Sequence, residues 1–130
     1  MNESLELPKP TDAELSILRV LWQRGSATVR EIHDALSLQK PTGYTTVLKT
    51  LQIMTEKGLV LRNESERAHV YQATQSQGVA QNRIVGDLVD KLFDGSAQKL
   101  VLHALSSRKA SAEEMQEIRR LLDSLEGEDS

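Results

Sequence analysis

Apolar residues recur every three or four positions through three segments of residues 11–57, and this spacing is typical of amphipathic helices. Capping boxes of the form Thr-x-x-Glu open the first two segments, at Thr11 and at Thr28. Gly25 is placed to end the first helix in the left-handed conformation. The pattern therefore predicts one helix before Gly25, a second from Thr28 to about Leu36, and a third further on.

The third helix is followed by a change of period. Pro41 is its start signal and Gly58 its stop. Its apolar stripe, which we expect in the core, consists of Tyr44, Val47, Leu48, Leu51 and Met54. After Gly58 the apolar residues alternate, and residues 59–62 and 69–72 are predicted to form a hairpin around a polar tip. Three helices followed by a hairpin is the order of a winged helix-turn-helix.

Residues 75–130 predict three further amphipathic helices. Gly95 ends the first of them and Ser96 caps the second, while Ser111 with Glu114 is a capping box for the third. We therefore predict a mainly α fold, with a flexible lead-in at 1–10, a winged helix-turn-helix domain at 11–74 and a C-terminal three-helix dimerisation region at 75–130.

The C-terminal region is too small to make a strong core of its own, because short domains bury little of their surface. Sharing the core with a second copy solves this problem, so we expect a homodimer. The predicted dimerisation residues lie on the apolar stripes of the three helices: Leu88, Leu92, Leu100, Val101, Ile118, Leu121, Leu122 and Leu125.

Composition excludes several classes of protein. The chain has 130 residues, a net charge of −3 and no cysteine, so disulfides and thiolate metal sites are ruled out. The histidines are scattered without metal-ligand spacing, and neither a metal nor a cofactor is predicted. No nucleophile-elbow, phosphate-loop or paired-carboxylate motif indicates an enzyme. No apolar run suits a bilayer and no signal peptide is visible, so we expect a cytoplasmic protein with no membrane insertion.

Charge is distributed unevenly, and this favours a nucleic-acid partner despite the negative total. Residues 37–62 contain four cations and one anion, Glu56, which gives a local balance of 4 − 1 = +3. The polar side of the third helix carries no carboxylate before Glu56. In a winged helix-turn-helix this helix enters the major groove, so we predict that the carboxylate-free face meets double-stranded DNA.

The predicted DNA-binding residues fall into three groups. On the third helix, threonine hydroxyls and one lysine face base edges or phosphates, and the helix start approaches a phosphate through backbone N–H groups. Arginines beside the hairpin tip follow the DNA backbone, and the start of the second helix supplies a cap and a weaker phosphate contact. The residues are Thr42, Gly43, Thr45, Thr46, Lys49, Thr50, Arg62, Arg67, Thr28 and Arg30.

Two separated stretches also resemble a known family. The first consists of Tyr44-Thr45-Thr46-Val47-Leu48, Leu51, Glu56-Lys57-Gly58-Leu59-Val60 and Arg67-Ala68-His69-Val70-Tyr71. The second consists of Leu92-Phe93-Asp94-Gly95-Ser96 and Leu100-Val101-Leu102. The sequence resembles the penicillinase-repressor family (BlaI/MecI, with the copper repressor CopY as a cousin). This resemblance implies a dimeric winged-helix repressor that binds inverted-repeat operators and is inactivated when a membrane-bound sensor protease triggers cleavage in the C-terminal region.

The sequence departs from that family at two points. In the best-known members the cleaved bond joins Asn to Phe directly after the Leu-Val-Leu segment, and here His103-Ala104 occupies that place. The copper-responsive cousins use Cys-x-Cys elements, and this chain has no cysteine. The resemblance therefore implies repression and a cleavage region at His103 and Ala104, but it does not identify the inducing signal.

Two other functions are compatible with the same pattern. A winged helix can serve as a protein-interaction module, which would expose apolar residues on the third helix, where only Ile53 is a candidate. A regulator that senses a small molecule would need a ligand pocket between the domains, and the small number of aromatic residues argues mildly against one.

Overall fold

A computed structural model describes residues 9–65 and 67–128 of the chain. The helices are α1 (Asp12–Arg24), α2 (Val29–Ser37), α3 (Tyr44–Lys57), α4 (Gln77–Leu92), α5 (Ala97–Ser107) and α6 (Ala112–Glu128), and the strands are β1 (Ala27–Thr28), β2 (Val60–Asn63) and β3 (Val70–Ala73). The fold is mainly helical, as predicted. Most of the predicted lead-in at 1–10 lies outside the described residues.

The helix starts follow the local signals read from the sequence. At the start of α1 the Thr11 hydroxyl accepts a hydrogen bond from the Glu14 N–H at 3.2 Å, and the Glu14 carboxylate accepts one from the Thr11 N–H at 2.9 Å. Thr28 and Glu31 repeat this arrangement at α2. Gly58 ends α3 at φ 83°, a left-handed conformation that costs glycine little.

The hairpin belongs to a three-stranded antiparallel sheet rather than standing alone. Its order is β1-β3-β2, and β1 pairs with β3 through Ala27 opposite Tyr71 and Thr28 opposite Val70. Strand β1 is not predicted from the sequence, because two residues are too few to show a strand period. Tyr71 lies on the central strand and is buried, so it joins the sheet to the helical core.

The core of the N-terminal part is built from α1–α3 and the sheet. Its largest fully buried side chains are Ile17, Leu21, Ile32, Val47, Leu51, Met54, Val60 and Tyr71. The prediction that Tyr44 also lies in the core is wrong, since this side chain is 44% exposed. Tyr44 is the first residue of α3, and its ring lies against side chains of α2 instead of the core.

The chain divides into two compact units, Met1–Ile84 and Val85–Ser130. The division falls within α4, whereas the predicted domains meet at 74 and 75; that assignment stays a prediction. In the second unit no residue of α5 is buried, and Leu92, Leu121 and Leu122 are each more than half exposed. Within the described residues, no helix is both long and apolar enough to span a membrane.

Candidate nucleic-acid interface

The outward side of α3 is a polar face whose residues are free of core contacts. Val47, Leu51 and Met54 are buried and point into the first unit. The helical period therefore turns Thr45, Lys49 and Gln52 toward solvent, with Thr46 beside them, and all four residues are exposed. We call these four residues the α3 face. Gln52 was not among the predicted contacts, although its exposed position on the same side of the helix could have indicated it.

Thr50 differs from the other predicted contacts on this helix. It is half-buried, and its hydroxyl donates to the Thr46 carbonyl at 2.8 Å, one turn earlier in α3. This side-chain bond satisfies the hydroxyl within the helix. Thr50 therefore lies at the edge of the α3 face, on the side that α1 approaches.

The start of α3 has no side-chain cap. Gly43 occupies the N-cap position without a side-chain hydrogen bond, and the first turn contains no acidic residue. The neighbouring hydroxyl of Thr42 donates to the Lys40 carbonyl at 2.8 Å, within the turn. The first-turn N–H groups and the positive end of the helix dipole are thus not neutralised by a side chain, and this arrangement attracts an anion.

Tyr44 joins the starts of α2 and α3 on the exposed surface. The Arg30 guanidinium lies 5.8 Å from the centroid of the Tyr44 ring, within the range of a cation–π interaction. His33 approaches the same ring edge-on, with 5.8 Å between the ring centroids. The sequence pattern placed Tyr44 in the core by its spacing and predicted Arg30 only as a weaker phosphate contact at the start of the second helix. The contact limits the positions available to Arg30.

The wing, residues 60–65 and 67–73, carries an ion pair between Glu64 and Arg62, and His69 lies beside the same carboxylate. The Glu64 carboxylate lies 3.5 Å from Nη2 of Arg62 and 3.5 Å from Nε2 of His69. Arg67, on the same wing, is exposed and makes no ion pair with any of the described residues. The two predicted wing arginines are therefore unequal, because Glu64 competes for Arg62 and not for Arg67.

A buried carboxylate supports α3 from behind. Glu14 is 3% exposed, and its oxygens lie 3.0 and 2.8 Å from Nζ of Lys57 in the last turn of α3. Burial acts to raise the pKa of Glu14, but hydrogen bonds from Lys57 and Thr11 outweigh it and lower the pKa below its ordinary value of 4.5. Lys57 is thus a structural cation rather than part of the unpaired positive charge.

Pairing changes the charge estimated from the sequence for residues 37–62. Lys57 and Arg62 are engaged by Glu14 and Glu64, whereas Lys40 and Lys49 have no ion pair within the part of the chain that the structure describes. The unpaired positive charge thus lies just before α3, at Lys40, and in the second turn of α3, at Lys49. The described residues contain no group of three His, Asp or Glu side chains that could hold a metal ion.

The helix order, the three-stranded sheet and the exposed third helix define a winged helix-turn-helix protein. Residues 10–124 match the family model of the penicillinase repressors, and the chain belongs to this family. The resemblance predicted from the sequence is therefore confirmed.

Two curated relatives match most of the chain. It is 33% identical over 126 residues to the transcriptional regulator BlaI of Mycobacterium tuberculosis, covering 93% of this chain and 88% of the relative. It is 23% identical over 118 residues to the penicillinase repressor of Bacillus licheniformis, covering 91% and 92%. The similarity to both relatives therefore includes the C-terminal helices.

One solved structure that is similar to part of the chain contains an operator half-site. It is the solution structure of the monomeric form of Bacillus licheniformis BlaI in complex with the blaP half-operator. That structure is 25% identical to this chain with a TM-score of 0.50, and the match covers 56% of this chain and 89% of that one.

Proposed function

We propose that this protein is a sequence-specific DNA-binding transcriptional repressor whose α3 helix enters the major groove. The observation that carries the proposal is the exposed α3 face, which has no carboxylate over the first three turns and contains Thr45, Thr46 and Lys49. Threonine hydroxyls can donate to or accept from base edges, and lysine can bind guanine or a phosphate. The solved complex of the related BlaI with a half-operator supports operator binding by this chain.

Phosphate contacts flank the α3 face on three sides. At the start of α3, the residues after Gly43 present N–H groups that no side chain caps. Arg30 is held beside that start by the Tyr44 ring, and Thr28 caps the same helix, α2, as predicted. On the wing Arg67 supplies the stronger contact and Arg62 the weaker one, because of Glu64.

The proposed active form is a homodimer assembled through the C-terminal helices. Leu121 is 57% exposed, Leu122 52% and Leu125 49%, within two neighbouring turns of α6. A monomer that exposed so many leucines would be poorly soluble, and a second copy of the same surface covers them symmetrically. Two winged helices related by a two-fold axis suit a near-palindromic operator.

We further propose that a sensor protease is a partner and that cleavage of the repressor in its C-terminal region releases the operator. His103 and Ala104 are exposed on α5, and the His103 ring lies 5.4 Å from the ring of Phe93. Cleavage at this bond would cut one of the three helices proposed to form the dimer. Proteases bind extended chains, so this turn of α5 must unwind before it is cut.

Fluorescence anisotropy on DNA from immediately upstream of the protein's own gene tests the repressor proposal directly. The duplex is compared with a scrambled one of equal length across a salt series, because phosphate contacts make affinity salt-dependent. Tighter binding to the upstream duplex, with two protomers for each site, supports the proposal. Equal and weak binding to both duplexes contradicts it for that operator and directs the search to a protein partner for the α3 face.

A further inference from the structure

A cleft opens in the first unit between α1 and the turn that leads into α3. Its volume of about 750 Å³ lies within the range of roughly 300–1,000 Å³ found for small-molecule sites. One wall is formed by α1, and the other by residues 35, 36 and 38–43 together with Thr46, Val47 and Thr50 of α3. The cleft thus shares a wall with the edge of the α3 face.

The charges that line the cleft have one sign. Its lining includes Arg19, Arg24 and Lys40 and contains no aspartate or glutamate. Arg24 is partly neutralised, since its Nη1 lies 3.5 Å from the carboxylate of Glu31. Arg19 and Lys40 form no ion pair with any residue that the structure describes. Two unpaired cations on opposite walls favour a negatively charged occupant.

The same cleft has an apolar surface suited to a ring or an alkyl body. Val20 and Leu36 are partly buried in its walls, and Leu38 lies at the turn with 88% of its surface exposed. We propose that the cleft binds a small amphipathic anion, whose carboxylate lies between Arg19 and Lys40 and whose apolar body covers these side chains.

Binding in the cleft competes with DNA, and this part of the inference rests on the proposed function. Thr42, Gly43 and Thr46 line the cleft and are also residues that the proposed operator complex uses. An anion held beside Lys40 removes positive charge from the start of α3 and occupies space next to it. The ligand therefore lowers operator affinity and acts as a direct inducer, independent of cleavage.

The test uses the full-length protein and 2-naphthoate as the probe, with the uncharged 2-naphthamide as its matched control. Amide proton shifts of Gly43 and Thr46 are followed by NMR without DNA. Saturable shifts are expected with 2-naphthoate, and Arg19→Gln and Lys40→Gln are each expected to weaken binding by roughly three- to tenfold. Lys109→Gln removes an exposed cation remote from the cleft residues in sequence and leaves binding unchanged.

Operator anisotropy then measures the competition, with acetate at equal ionic strength as the control. A rise in Kd with 2-naphthoate that acetate does not reproduce supports the proposal. Absence of saturable shifts, or equal affinity for 2-naphthamide, overturns the anion site. Saturable shifts with no change in Kd overturn the competition. Failure to bind the operator without any probe contradicts the repressor function instead, while the DNA-free titration still decides whether the cleft binds an anion.

Discussion

Nζ of Lys57 lies 2.8 Å from Oε2 of Glu14, and this ion pair joins the last turn of α3 to the first turn of α1. Glu14 is at once the third residue of a capping box and the partner of a lysine 43 positions away. The orientation of α3 is therefore fixed at its far end by the start of α1, while its own start is left without a side-chain cap. The stabilising ion pair and the proposed DNA contacts thus lie at opposite ends of one helix.

Removing the charge of Glu14 is expected to destabilise the fold. Glu14→Gln keeps a side chain that can complete the capping box but loses the charged contact with Lys57, so the free energy of unfolding should fall by about 1–2 kcal/mol. Urea denaturation at neutral pH measures the loss. Glu31→Gln is the matched control, because Glu31 occupies the same position of the Thr28 capping box at an exposed site. Glu31 also forms an exposed ion pair with Arg24 at 3.5 Å, so an equal loss in both variants would show that the buried Lys57 pair contributes no more than an exposed pair does.

The same ion pair predicts a dependence of stability on pH. The pKa of Glu14 is lowered in the folded state, so its stabilisation is complete above the ordinary value of 4.5 and is lost as the pH falls through the folded value. The difference in unfolding free energy between wild type and Glu14→Gln should therefore be constant from pH 7 to pH 5 and shrink below 4.5. A difference that stays constant down to about pH 3 would contradict the lowered pKa.

Neutralising Glu64 is expected to tighten DNA binding, because the change releases Arg62 and His69 toward the phosphates. The affinity of Glu64→Gln for the operator should rise by roughly two- to fivefold, as expected for an exposed ion pair. Asp123→Asn changes the net charge equally at an exposed position of α6 and serves as the control. Anisotropy at two salt concentrations distinguishes the outcomes, and an equal gain in both variants would indicate a general charge effect only.

Arg67→Ala is expected to weaken binding more than Arg62→Ala. Arg67 has no ion pair among the described residues, whereas Arg62 must leave Glu64 before it meets a phosphate. Loss of one phosphate contact should reduce the slope of log Kd against log salt concentration by about 0.9. Lys49→Ala tests α3 in the same assay, and its slope stays unchanged if Lys49 reads a base. Slopes unchanged in all three variants would remove the proposed docking surface.

The elements that were predicted correctly are specified by residues close to one another in the sequence. Thr11, Thr28 and Gly58 begin or end helices through hydrogen bonds to residues a few positions away, so their short motifs contain the necessary information. Strand β1 exists only because residues 27 and 28 pair with β3, more than forty positions later. The contact of Glu14 with Lys57 is equally remote in sequence. Periodicity and capping rules contain no information on such pairs.

The sequence predicted which side of α3 forms the candidate interface. It could not show which of the predicted residues are already engaged by other side chains. The α3 face follows from helical periodicity once Val47 and Leu51 are placed in the core. The same periodicity failed for Tyr44, because its ring at the start of α3 lies against side chains of α2 rather than in the core. Which wing arginine is engaged depends on the position of Glu64, which only the folded hairpin determines.

Tyr44 and Arg30 are expected to act together in operator binding. Arg30→Ala and Tyr44→Ala should each raise Kd, and the double variant should lose less than the sum, with a coupling of about 0.5–1 kcal/mol for an exposed cation–π pair. Tyr44→Phe keeps the ring and should preserve the coupling with Arg30. Circular dichroism melts confirm that the variants fold, since both residues are exposed. Strictly additive losses would mean that the ring does not position Arg30.

Charged substitutions on the apolar stripe of α6 are expected to separate the proposed dimer. Ile118→Asp and Leu122→Asp place a charge on the apolar stripe of α6 and should give monomers by light scattering, because a buried unpaired carboxylate is costly at an interface. Gln116→Asp introduces the same charge at another exposed position of α6 and should leave a dimer. Variants at 118 and 122 that remain dimeric would exclude α6 from the interface.

The folding of the first unit can be monitored in the same variants. The single tryptophan, Trp22, donates from Nε1 to the Gln75 carbonyl at 2.9 Å, so its fluorescence reports whether the end of α1 still meets the segment before α4. We expect unchanged Trp22 emission and normal affinity for a half-operator. Affinity for the full operator should fall by roughly tenfold or more, because the two winged helices no longer bind as a linked pair when the dimer separates. Reduced affinity for the half-operator would show instead that the aspartate substitutions disturb the winged helix itself.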